Sequence, residues 1–165
     1  MLDPDIVLST VVSAFRSIPA VIAEMAGDPL NIQGHSYYVG EDNSLARTIG
    51  MMPSPSILVA YLDLLGGNFS GATVWKHRLE VYIRPKNSAM GGVGSPSGPP
   101  ASSPMHLWWL MMNSPVLSGP TNFRNTAFLN GSLMLVDTPT LTHRIDELAQ
   151  DFFVGSLVFP ENGDD

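Results

Sequence analysis

Residues 73–84 alternate with period two: Thr73, Trp75, His77, Leu79, Val81 and Ile83 fall on one side, and Val74, Lys76, Arg78, Glu80, Tyr82 and Arg84 on the other. One mostly apolar and one mostly charged side predict a strand with one face on a core. His77 lands on the apolar side, where it needs a hydrogen-bond partner. Upstream, Ile57-Leu58-Val59-Ala60-Tyr61-Leu62 is a compact apolar run of strand formers and reads as a buried strand. Gly66-Gly67-Asn68 and Gly71 lie between the two runs and predict the loop of an antiparallel pair.

Helix signals surround this pair. Asp3-Pro4-Asp5 supplies an N-cap acceptor, a proline where no amide partner is lost and an acid near the dipole. Leu8, Val11, Val12 and Phe15 follow at helical spacing, predicting a helix over 4–17. Pro19 interrupts it, and residues 20–25 add one short helical piece before Gly27-Asp28-Pro29. Residues 27–43 are turn-rich, with a short strand expected over 35–39. Asp42 and Asn43 cap a second short helix, 44–51, ending before the extended segment Met52-Pro53-Ser54-Pro55. Ser103-Pro104 opens a further helix over 105–112, carrying Leu107, Trp108, Trp109 and Leu110.

Residues 86–104 are dominated by Gly, Pro and Ser and read as a long mobile loop. The last third reads as strands: 127–136 with Asn130-Gly131 as a bulge or early turn, then 141–145, a polar turn at Asp146-Glu147-Leu148, and 151–159. A helix over 142–150 is the competing reading. The tail, 160–165, is acidic and expected to fray. The fold class expected is α/β of the α+β type. It is a single domain, 1–165, with a mostly antiparallel sheet of about four to six strands and the N-terminal helix and a second short helix packed on one face.

Composition narrows the function classes. No cysteine removes disulfides, thiolate metal sites and thiol nucleophiles. The net charge of −7 opposes general binding to nucleic acid or anionic lipid. Only 14% of residues are charged, against about 25% in a typical soluble domain, a deficit that suits a subunit hiding much of its surface against copies or partners. The acidic start is unlike a secretory signal, and no apolar run reaches the ~18 residues of a membrane span.

Motifs for catalysis are weak. His35, His77, His106 and His143 are scattered without a second ligand at metal-binding spacing. Gly91-Gly92-Val93-Gly94-Ser95 lacks the ending of a phosphate-binding loop, and no nucleophile-elbow pattern occurs. Asp137, Asp146, Glu147 and Asp151 fall in expected turns, where solvated acids are the rule. No catalytic, metal or cofactor set is expected.

Interface candidates are clearer. Lys76, Arg78, Arg84 and Lys86 form the one basic cluster, with Glu80 among them. Acids including Asp146, Glu147 and Asp151 dominate residues 137–165, where Arg144 is the single Arg or Lys. Such opposed charges can meet between neighbouring copies and set their register. Trp108 and Trp109 sit about 100° apart on a helix, so burying both requires two covered surfaces, one of them a partner.

The order of features resembles the tail terminator (tail completion) proteins of long-tailed bacteriophages. The likeness rests on the N-terminal helix, Met51-Met52-Pro53-Ser54-Pro55-Ser56-Ile57-Leu58-Val59-Ala60-Tyr61, Val74-Trp75-Lys76-His77-Arg78 leading into Tyr82-Ile83-Arg84, and a closing Asp151-Phe152-Phe153 to Glu161-Asn162-Gly163-Asp164. It implies a small non-enzymatic α/β subunit in a hexameric ring at the head-proximal end of the tail tube. That ring stops tube polymerisation and meets the neck. The implied partners are sister copies, the tail tube protein and a neck or head-completion protein, with DNA passing non-specifically through the lumen, no membrane, and a virion location after assembly in the host cytoplasm. The alternatives are a head-closure protein of the same particle, or a small-ligand enzyme or binding domain with a pocket near Trp75, Trp108 and Trp109.

Overall fold

The computed structural model describes residues 1–36, 44–69, 72–84, 104–113, 127–128, 133–134, 140–145 and 151–161. Helix α1 (Pro4–Arg16) starts as the sequence dictates: the Asp3 side chain accepts from the Asp5 amide at 2.9 Å, and Pro4 occupies the first turn. Its apolar stripe, with Val7 added, is buried. Pro19 then opens α2 (Pro19–Glu24) after Ile18 turns extended. Strand β1 (Ile32–Ser36) begins three residues earlier than expected, because Ile32 is fully buried and pairs with Ile57. Residues 37–39 of that expectation lie outside the described residues.

Helix α3 (Ser44–Gly50) leads into β2 (Ser56–Phe69), which pairs antiparallel with β3 (Ala72–Arg84). The pairing is as expected but the loop is not: Gly66, Gly67 and Asn68 belong to β2, opposite Trp75, Val74 and Thr73. At Gly66 an added Cβ would stand 2.6 Å from the Trp75 ring, so this glycine is a floor for the indole and not a turn. Helix α4 (Pro104–Asn113) matches its expectation and takes in Pro104, the last residue of the expected loop; the N-caps expected for α3 and α4 and the rest of that loop, 86–103, lie outside the described residues. Short strands β4 (Ala127–Phe128) and β5 (Leu133–Met134) pair antiparallel, and the bulge or early turn expected at Asn130-Gly131 lies outside the described residues. Then β6 (Thr140–Ile145) pairs antiparallel with β7 (Asp151–Pro160), which removes the helical reading of 142–150 over its first four residues.

The architecture is α+β. Five strands form a mixed sheet in the order β1-β2-β3-β7-β6, with β1 parallel to β2 and the other neighbours antiparallel. Alternation sorts β2 into two cores: Ile57, Val59 and Tyr61 on the first face, Leu58 and Ala60 on the second. Helices α1, α2 and α4 supply Phe15, Val21, Trp108 and Met111 to the first. The second short helix expected beside α1 is on the other side: Leu45 and Ile49 of α3, with Met52, pack on Tyr82, Phe152 and Val154. The sheet is apolar on both faces at this end, and a single-faced strand pattern does not anticipate that.

Candidate functional site

The expected basic face divides along β3. In β2 the alternation that buries Ile57, Val59 and Tyr61 would send Asp63 into the core, but the register shifts between Tyr61 and Asp63. This bulge turns Asp63 to the second face and gives its place to Leu64. There Asp63 pairs with Arg78 at 2.5 Å, with the side chains 36% and 46% exposed. A pair that open contributes about 1 kcal/mol or less. Lys76, next along, is exposed, and Glu80 accepts a hydrogen bond from the Tyr82 hydroxyl.

Arg84 corrects the sequence reading. It is fully buried under α3, donates to the Ile49 carbonyl at 3.1 Å and stands 6.0 Å from the Phe152 ring centre. It belongs to the core and offers nothing to a neighbouring subunit. Arg144 and Asp151 are placed by backbone pairing, opposite Phe152 and Ile145. Lys86, Asp146 and Glu147 lie outside the described residues.

The tryptophans split as the 100° offset requires. Trp108 is buried against Gly155 of β7, while Trp109 is 57% exposed and stacks on His106 with ring centres 5.7 Å apart. Trp75 is half-buried.

A buried polar chain, not foreseen as a unit, crosses the first core. The Tyr61 hydroxyl lies 2.8 Å from His77 Nδ1, and His77 Nε2 lies 2.7 Å from Glu161 Oε1. A neutral imidazole with its proton on Nε2 accepts from the phenol, donates to the carboxylate and leaves no group unpaired. Glu161 also accepts from the Leu2 amide at 2.6 Å, lies 3.6 Å from the Met1 amino group, and donates its own amide to the Trp75 carbonyl at 2.8 Å. Burial pushes the Glu161 carboxyl up, but the Leu2 amide, His77 and the Met1 charge together hold it below the usual carboxylate range. The Tyr61 phenol is pushed up to about 12, first by burial and then by the charges of Asp63 and Glu161. The acidic tail therefore does not fray at Glu161; residues 162–165 lie outside the described residues. With both imidazole nitrogens committed to Tyr61 and Glu161, this chain of groups acts as a clasp joining the start of α1 to the end of β7. The sequence signal was His77 on an apolar face, which demanded a partner without naming one.

A cleft of about 290 Å³ opens where β1 and β2 meet α3, lined by residues that include Leu30, Gln33, Met51, Met52 and Leu58. None of its described lining residues is ionisable, and none is a tryptophan. Leu30 and Met51 stand at its rim, 64% and 76% exposed. Among the described residues no group of three or more His, Asp or Glu could hold a metal ion, and no helix is long and apolar enough to cross a membrane.

No protein-family model matches this chain, and no curated protein matches it in sequence.

Proposed function

We propose that this chain is a non-enzymatic ring subunit of a long-tailed phage particle, seated at the head-proximal end of the tail tube, where it ends tube polymerisation and joins the tail to the neck. The observation that carries this reading is the division of the tryptophan pair: Trp108 fills the core, and Trp109, stacked on His106, is offered to solvent. An exposed aromatic anchor of this size is the residue type that dominates binding energy at protein interfaces. The low charged fraction supports the same reading. Its partners are sister copies, six to a ring as the resemblance implies, then tail tube and neck proteins, with DNA passing through the lumen without sequence readout.

Light scattering of the purified chain, alone and mixed with tail tube protein, tests it, with electron micrographs of the same samples. Closed rings, or caps on tube ends, are expected. A head-closure role is distinguished by rings that bind neck components and leave tubes uncapped. The cleft beside α3 favours a second reading, a small-ligand binding domain; a stable monomer whose melting temperature rises with a ligand would replace the ring reading.

A further inference from the structure

The cleft beside α3 has a lining whose chemistry selects what can fill it. It opens on the second face of the sheet, where Gln33 of β1 stands next to Leu58 of β2, and α3 with the residues after it supplies Thr48, Met51 and Met52. Its volume of about 290 Å³ is room for roughly ten waters at ~30 Å³ each, and so for a compound of roughly one or two rings.

Charge is excluded first. The described lining holds no Asp, Glu, Lys, Arg or His, so an ion entering it would give up water and meet no counter-charge. The polar side chains narrow the choice further. Gln33 Nε2 donates to the Leu30 carbonyl at 2.6 Å, Asn31 Nδ2 to the Met25 carbonyl at 2.9 Å, and the Ser56 hydroxyl to the Pro53 carbonyl at 2.5 Å. These donors are turned onto the protein's own backbone, while the side-chain oxygens keep acceptor capacity. A guest that matches the lining is apolar over most of its surface and brings its own N–H or O–H. Leu30 and Met51, exposed at the rim, gain burial when the cleft fills. Gln33 is the acceptor best placed to orient the guest, because Ile32 before it turns into the first core and the alternation of β1 sends Gln33 to the cleft side.

We propose that this cleft is a binding site for a small, neutral, mainly apolar molecule that donates an N–H or O–H to Gln33 Oε1. The proposal deepens the small-ligand reading by naming the ligand's chemistry, and a ring subunit can carry the same site.

Indole is the probe. Its controls are 1-methylindole, which lacks the donor, and indole-3-acetate, which adds a charge. The full-length chain, carrying 13C at its methionine methyl groups, is titrated in whatever assembly state it adopts, and the peak lost in Met51→Leu identifies Met51. Indole is expected to give a saturable shift of the Met51 methyl with a Kd of about 1 mM or tighter. 1-Methylindole should bind at least about threefold more weakly, the worth of one neutral hydrogen bond, and indole-3-acetate more weakly still. Gln33→Leu, at an exposed position, is expected to erase the preference for indole while keeping the binding of 1-methylindole, which also shows that the variant is folded. No saturable shift with indole, no preference for it over either control, or a Gln33→Leu chain that still prefers it overturns the proposal. Light scattering on the same samples separates this result from the ring reading: rings that do not bind indole overturn the site alone, and a chain that binds indole but is monomeric at every concentration, with and without tube protein, overturns the ring alone.

Discussion

Gly155 lies in β7 between Val81 and Leu141, directly beneath the indole of Trp108. A Cβ at this position would sit 2.2 Å from Trp108 Cη2, 2.4 Å from Cζ3 and 2.9 Å from Cζ2. Were the strand open here, Gly155→Ala would stabilise the protein, since alanine loses less backbone freedom than glycine, by about 0.5–1 kcal/mol. The contact reverses the sign. The indole is buried among Leu107, Met111 and the first core and cannot retreat without moving α4. Forcing one carbon into such a site costs about 3 kcal/mol, the upper end of the overpacking range. The net expectation is a loss of about 2 kcal/mol, or roughly 4–8 °C in Tm for a chain of this size. Urea unfolding followed by tryptophan fluorescence measures it. Trp108→Leu removes the obstruction at its own cavity cost, so the double variant should be more stable than the sum of the singles predicts by more than 1 kcal/mol. A Gly155→Ala protein as stable as the wild type or more so, or a double variant that is simply additive, would refute the packing of α4 on β7.

The clasp makes stability depend on pH at both extremes. Glu161 is held below the usual carboxylate range in the folded protein, so its contribution is present above about pH 4.3, the unfolded value. It is lost as pH falls through the lower folded value; urea midpoints between pH 7 and 3 should fall less steeply in Glu161→Gln. Tyr61 has the opposite sign: its raised value means a contribution lost as pH rises from 10 towards 12, and absorbance at 295 nm should show a late-ionising component that Tyr61→Phe removes. Charge reversal separates the two arginines of β3. Arg84→Glu buries an unmatched charge and should cost about 3–5 kcal/mol, whereas Arg78→Glu, at a half-exposed pair, should stay within about 1 kcal/mol in the same urea titration.

Patterns carried by local chemistry were legible in the residues. Asp3-Pro4 starts α1, Pro19 starts α2, and the period-two run of β3 with the polar break before β7 placed the central strands. What could not be read depended on contacts far apart in the chain. Arg84 has the spacing of an exposed charge and becomes interior only because α3, some forty residues upstream, lies over it. Gly66 and Gly67 have turn composition, yet Trp75 across the ladder holds them in a strand. The bulge that sends Asp63 outward has no marker in an apolar run, and it also decides that Leu64 and not Asp63 faces His77. The partners of His77 are Tyr61, 16 residues upstream, and Glu161, 84 residues downstream, and neither separation shows in a strand pattern.

Strand β7 is translated after every other described strand, yet it lies inside the sheet, between β3 and β6. A nascent chain on the ribosome therefore lacks Leu157 and Phe159 from its core until β7 itself has been made, and the hydrogen bond from Leu2 waits for Glu161. Such long-range closure is slow compared with local helix formation. It also makes the core sensitive to truncation: a product that stops before β7 has an unfilled slot in mid-sheet and exposes its interior to proteases.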